Sequence, residues 1–225
     1  MTLTVHHLEY SQSFRILWLL EKLGANYEVK VYERDPKTRL APADYKAVSP
    51  LGTAPAITDG DLALAETNAI IDYILDQHPK SKLRPSAKAK NRINYLFWFH
   101  AAQGSMMPIM LFGAVFGSIE KNVPFFLKGL IRKITAQVKT GFLNPRMKAL
   151  IDKAETDLGM SNWLAGDDLT AADIVMSYNM EGSRNAGYIT DAHPNCLRWL
   201  TQMHADPAFI AAMEKDGRET MVFTG

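Results

Sequence analysis

The segment Thr53-Ala54-Pro55-Ala56-Ile57, followed by the pair Glu66-Thr67, constrains this chain more than any other stretch. Ala56 to Thr58 and Leu62 to Leu64 read as short strands around the turn Asp59-Gly60. Pro55 stands at the mouth of the first strand, and proline is the residue for which a cis peptide bond is least costly. Glu66 to Gln77 then reads as a helix, with Ile70, Ile71, Ile74 and Leu75 apolar. The layout sets backbone amide and carbonyl groups beside a helix N-terminus. It suits a small peptide-like ligand that carries carboxylates.

Upstream, Leu3 to Leu8 reads as a strand and Ser13 to Leu23 as a helix, with Phe14, Leu17, Trp18 and Leu20 at helical spacing. Gly24 is placed to end that helix and Ser13 to cap its start. Tyr27 to Tyr32 alternates as a second strand, parallel to the first because the crossover is a short helix. Arg34 to Pro50 is irregular and polar, with one helical turn near Ala43 to Ala47. The texture changes at His78 to Pro85, which holds two prolines and three Lys or Arg residues. Beyond it only helical patterns occur: Ala87 to Phe116, Phe125 to Gly159 with a break expected near Gly141 to Pro145, Ala171 to Arg184, Asn195 to Ala205, and Pro207 to Lys215. The expected fold is an α/β unit over residues 1–79 (β-α-β-α-β-β-α), a linker over 80–86 and an all-α unit over 87–225.

Composition narrows the function class. The 25 basic and 24 acidic side chains give a net charge of +1, which argues against nucleic-acid and membrane partners. The N-terminus shows no signal-peptide pattern. The apolar stretch around Met106 to Phe116 is interrupted by Pro108, Gly113 and Gly117, so no membrane-spanning helix is expected. The single cysteine, Cys196, excludes an internal disulfide and a cysteine-rich metal site, and the histidines, His6-His7 included, lack metal-ligand spacing. A cytoplasmic protein without a metal is the expectation.

Thr170-Ala171-Ala172-Asp173 has the spacing of a capping box, with Leu169 as a staple residue ahead of it. The Asp173 carboxylate is therefore read as structural rather than catalytic.

Taken together, these pieces resemble the glutathione transferase family along essentially the whole chain. The first unit resembles a thioredoxin-like domain, Thr53-Ala54-Pro55 its cis-proline loop, and Glu66-Thr67 its Glu-Ser/Thr pair. Trp163 to Asp173 is similar to the family's C-domain signature. Ser11-Gln12-Ser13-Phe14-Arg15, Arg34 to Thr38 and Gln103 to Pro108 are closest in texture to a bacterial and fungal serine-type group.

The resemblance implies detoxification chemistry on glutathione as co-substrate. A free thiol with a pKa near 8.5 is a few per cent thiolate at neutral pH. Lowering that pKa by two units takes about 2.7 kcal/mol. A hydroxyl and a helix N-terminus aimed at the sulfur supply such stabilisation. Ser11 matches the serine of the family's serine-type pattern, with Tyr10 and Ser13 as alternates in the same loop. By resemblance, Ala54 offers its backbone to the cysteinyl part of glutathione beside Pro55. Thr67 holds the γ-glutamyl carboxylate and Glu66 the α-amino group, with Asn68 a weaker addition.

Thr53 stands where the family often has a lysine, so the glycine carboxylate needs another cation: Arg39, Lys37 or Lys46, with Arg39 preferred. Tyr10, Trp98, Met106, Met107 and Met110 are candidates for an apolar electrophile site between the units. His100 and Gln103 face glutathione across a dimer interface or bond within the core. The resemblance implies a homodimer that attacks small hydrophobic electrophiles or peroxides. The alternatives are a glutathione-dependent peroxidase or disulfide reductase, which would use the glutathione thiol because the Tyr10 to Ser13 loop has no cysteine, and a non-catalytic glutathione-binding protein.

Overall fold

The computed structural model describes residues 2–49, 51–217 and 219–220. Pro50, which closes the irregular segment, and residues 221–225 of the helical unit lie outside the described residues. Four strands, β1 (Leu3–Leu8), β2 (Tyr27–Tyr32), β3 (Ala56–Asp59) and β4 (Leu62–Ala65), form one sheet in the order β2-β1-β3-β4. β1 and β2 are parallel, as the short crossover requires, and the other pairings are antiparallel.

The two-residue period of β1 sorts its side chains between two environments. Val5 joins the core built with α1 (Phe14–Leu23) and α3 (Thr67–Gln77). Leu8 joins a separate cluster with Tyr32, Ala41, Ala56 and Tyr45 of α2 (Ala43–Val48). The same alternation sends His6 to Tyr32 and Thr58, and His7 toward the C-terminal helix.

The second unit is helical: α4 (Arg92–Ala101), α5 (Met107–Asn122), α6 (Lys128–Val138), α7 (Asn144–Met160), α8 (Ala171–Asn185), α9 (Pro194–His204) and α10 (Pro207–Asp216). α8 runs through its centre, buried at Ile174, Val175, Met176 and Met180. One apolar core continues from Val5, Leu17 and Ile70 through Leu83 into Trp98, Met147 and Trp199. The connecting segment is tied to both sides. Leu83 C=O accepts from Ala171 N–H at 2.8 Å, and Arg84 pairs with Asp72 and Asp76 of α3.

The expected break near Gly141 to Pro145 is not there. A wide π turn, Lys139–Leu143, carries α6 directly into α7, just as Ala102–Met106 joins α4 to α5. Each π turn runs into a proline in the first turn of the next helix, Pro145 and Pro108. Proline lacks the N–H that an α-helical bond would need, and a π turn spares that bond. Pro108, Gly113 and Gly117 therefore do not interrupt helix. The interruption expected from those residues is thus absent, and Arg92–Asn122 is long and apolar enough to cross a membrane by length and composition alone. Its inner residues Tyr95, Trp98, Phe99, Met106 and Ile109 are instead buried in the core.

The capping box forms as expected. Asp173 is 0% exposed and accepts from Thr170 N–H at 2.9 Å, Leu164 N–H at 2.9 Å and the Trp199 indole at 3.0 Å.

Candidate active site

Among the described residues, only Tyr10, Arg39 and Glu66 combine a side chain with a left-handed backbone, at φ 48°, 59° and 75°. That conformation is disfavoured for any residue with a Cβ, costing about 1–3 kcal/mol, and it concentrates where ligands are held. All three are sequence-predicted site residues. The Arg39 guanidinium lies 5.8 Å from the Tyr10 ring centroid and pairs with Glu9 at 3.5 Å. Glu9 also accepts from Arg34 N–H at 2.8 Å, so the β1–α1 loop and the irregular segment are drawn together. Of the other candidate cations, Lys37 is exposed and Lys46 lies over Gly52.

Between β1 and α1 the chain places Ser11, Gln12 and Ser13. Ser11 Oγ donates to Leu8 C=O at 2.6 Å, lies 2.6 Å from Ser13 Oγ, and accepts from Ser13 N–H at 3.2 Å. Ser13 does not cap α1. It is already helical, at φ −64°, and its hydroxyl makes no cap bond. That hydroxyl instead reaches His7 Nδ1 at 2.9 Å, and His7 Nε2 meets Asp216 Oδ1. The helix starts on backbone bonds, so the serine is released for this side-chain contact.

Gln12 escaped the sequence reading, yet it joins three elements. Its Oε1 accepts from Arg15 Nη1 at 2.8 Å, from Gln103 Nε2 at 2.6 Å, and from Thr67 Oγ1 at 3.5 Å. Gln103 is delivered by the first π turn, which Asn179 Nδ2 pins through Ala102 C=O at 2.9 Å. Gln103 thus bonds within its own chain. Arg15 is 0% exposed beneath Gln12, donates to Asn179 and stacks on Tyr178 at 5.4 Å. Burial pushes its pKa down to about 9, which leaves it charged near neutral pH.

At the second wall the Ala54-Pro55 bond is cis. Thr53 C=O accepts from Tyr45 Oη at 3.1 Å and Ser49 Oγ at 3.0 Å, which fixes the approach to Ala54. The following helix starts at Thr67 rather than Glu66, because Glu66 is not helical; its carbonyl accepts from Ile70 N–H at 2.9 Å. Glu66 is exposed and Thr67 is buried beside Gln12. Asn68 Nδ2 donates to Phe99 C=O at 2.8 Å, so it ties α3 to α4.

Two predicted electrophile-site residues are core instead. Trp98 is 0% exposed, and its indole donates to Asp157 at 2.8 Å. Met106 is 1% exposed at the close of the π turn. Aromatic and methionine side chains at helical spacing serve core and site alike, and the sequence did not separate them. Met107 and Met110 are half-buried, Met110 with its methyl end against Gly182, and Tyr10 is half-buried. His100 is exposed. Cys196 is fully buried, and burial with the nearby Glu155 pushes its thiol well up, as suits an inert packed cysteine. No metal-binding cluster occurs among the described residues.

Comparison with known proteins returns the same architecture. Residues 1–76 match the glutathione S-transferase N-terminal domain and residues 121–216 the C-terminal domain. Glutathione S-transferase 3 of Schizosaccharomyces pombe is 28% identical, covering 95% of this chain and 87% of its own. Glutathione S-transferase 1 of Saccharomyces cerevisiae is also 28% identical, covering 94% of each. The solved glutathione S-transferase of Actinobacillus pleuropneumoniae is 34% identical with a TM-score of 0.77, covering 96% of this chain and 93% of its own. With both domains matched in order around a serine loop, a cis-proline and a buried capping box, the chain belongs to the glutathione S-transferase family of glutathione-conjugating enzymes.

Proposed function

We propose that this enzyme binds glutathione along the Ala54-Pro55 edge and the N-terminus of α3, and ionises its thiol at Ser11. The observation that carries the reading is the convergence at Gln12. One amide oxygen joins the Ser11 to Ser13 loop, Thr67 at the start of α3 and Gln103 of the helical unit. An N-terminal helix end suits the γ-glutamyl carboxylate, and exposed Glu66 suits the α-amino group. Arg39, held beside Tyr10, supplies the cation that Thr53 lacks for the glycine carboxylate.

Ser11 is then the thiolate's hydrogen-bond donor, and the buried charge of Arg15 adds a favourable field. The thiolate attacks a small hydrophobic electrophile or a peroxide. Tyr10, Met107 and Met110 supply the apolar wall, with Trp98 and Met106 supporting it from the core. The exposed apolar residues of the helical unit, Leu111, Phe112, Val115 and Ile119 among them, offer a face for a second copy in a homodimer.

Calorimetry with glutathione, followed by conjugation of an aryl halide by wild type and Ser11→Ala, tests the reading. Micromolar to millimolar binding with conjugation that depends on Ser11 is expected. No binding, or full activity in Ser11→Ala, would overturn it.

A further inference from the structure

The hydroxyl loop does not end at Ser11. Behind it runs a hydrogen-bonded chain of buried groups: Ser11 Oγ to Ser13 Oγ at 2.6 Å, Ser13 Oγ to His7 Nδ1 at 2.9 Å, and His7 Nε2 to Asp216 Oδ1. Ser11 is 5% exposed, Ser13 and His7 are 0%, and Asp216 is 4%, so the chain passes from the loop through buried groups to the end of α10. We infer that Ser13, His7 and Asp216 form a proton relay that receives the thiol proton of bound glutathione through Ser11. This rests on the reading of Ser11 as the group that meets the glutathione sulfur.

The polarity of the chain follows from its inner end. A carboxylate accepts, so the His7 nitrogen facing Asp216 carries a proton. In the neutral ring Nδ1 is then a bare acceptor, and Ser13 Oγ–H donates to it. Ser13 oxygen, having spent its proton inward, keeps lone pairs toward Ser11. At rest the Ser11 hydroxyl donates to Leu8 C=O at 2.6 Å, and a turn about its Cβ–Oγ bond brings that proton to Ser13 Oγ, also 2.6 Å away.

The transfer is a concerted shift along this line. The thiol S–H bond breaks as its proton bonds to Ser11 oxygen. The Ser11 proton passes to Ser13, and the Ser13 proton to His7 Nδ1. Each oxygen loses one proton and gains one, and no electron pair leaves its atom's valence shell. The net change is one thiolate and one imidazolium, and the imidazolium lies against Asp216. Afterwards every hydroxyl points outward, with Ser11 O–H donating to the sulfur. Ser11 is the group that touches substrate, while Ser13, His7 and Asp216 act through it. Buried hydroxyls suit this purpose because each is both donor and acceptor and turns about one bond.

The test counts protons. Glutathione is titrated calorimetrically into the full-length protein near pH 7, in buffers of different ionisation enthalpy, with the thiolate measured in parallel by its ultraviolet absorbance. S-methylglutathione corrects for protons unrelated to the thiol. Wild type should release well under about half a proton per thiolate formed, because the proton stays on His7. Ser13→Ala cuts the line with a small change of volume, and should either release about one proton per thiolate or form about tenfold less thiolate. Asp216→Asn, which keeps the shape of the side chain, should move the count in the same direction.

A wild-type protein that ionises glutathione and releases a full proton for each thiolate overturns the relay alone. So does a Ser13→Ala protein with an unchanged count and unchanged thiolate. A wild-type protein that binds no glutathione overturns the thiol-site reading as well.

Discussion

Asp173, in the first turn of α8, and Asp216, the last residue of α10, are both buried carboxylates at helix ends, and their partners differ in kind. Asp173 is held by three N–H groups on rigid frames, two of the backbone and the Trp199 indole, with the capping Thr170 hydroxyl beside them. The N–H groups cannot pass a proton onward, and together with the cap they fix the loop from Leu164 to Thr170 against α8. Asp216 faces an imidazole, and beyond it stand two hydroxyls that can rotate. A carboxylate held by fixed N–H groups organises structure. One that ends a line of imidazole and hydroxyls can organise charge. The carboxylate alone does not tell the two apart; the second atom along does.

The largest effect that would sharpen this contrast is on stability. Asp173→Ala leaves several buried donors unsatisfied and should cost about 4 kcal/mol in urea unfolding, while the folded fraction keeps its specific activity within about twofold. A loss below about 1 kcal/mol would remove Asp173 from the structural side of the comparison. The next effect is catalytic. Ser11→Ala should lower kcat/KM for conjugation about 100-fold, or about 2.7 kcal/mol of transition-state stabilisation. Its unfolding free energy should move by less than about 1 kcal/mol, the reverse of the Asp173 pattern.

A smaller effect is expected in the pH dependence of stability. Burial raises the Asp173 pKa, with the bonds from Thr170, Leu164 and Trp199 opposing it. The folded state therefore holds this proton to higher pH than the unfolded chain does. The resulting stability is fully present below the unfolded value near 3.9 and is lost as pH rises through the folded one. Asp173→Asn should flatten that fall in unfolding measurements taken from about pH 4 upward. The smallest effect belongs to Arg39, whose side chain is 41% exposed. Arg39→Ala should weaken glutathione binding about fivefold by calorimetry, and unchanged affinity would assign the glycine carboxylate to another cation.

Local pattern made much of this molecule legible. The alternation of Leu3 to Leu8 and Tyr27 to Tyr32, the short crossover and the Asp59-Gly60 turn lead to the observed sheet. Thr170 to Asp173 could be read as a cap because a capping box closes within one helical turn. What stayed hidden depends on contacts between distant segments. His7 and Asp216 are 209 positions apart, and Gln12 and Gln103 are 91 apart. No periodicity reports such a meeting. Ser13 was misread because a serine before an apolar run signals a cap, and only the fold shows its hydroxyl turned to His7. Trp98 was ambiguous for a different reason: an aromatic stripe shows which face is apolar, while the neighbour Asp157 shows that this face is core.

The position of α10 bears on the order in which this protein is made. Its Phe209 packs edge-to-face against Phe14 and Trp18 of α1, its Lys215 pairs with Glu21, and its Asp216 closes on β1. During synthesis the first domain leaves the ribosome long before the helix that completes its serine loop, and domains generally fold in that order. The sheet and α1 can assemble early, but the groups behind Ser11 come together only when α10 docks. On the proposed reading of Ser11, thiol activation would therefore wait for a helix made about 200 residues after the loop it supports.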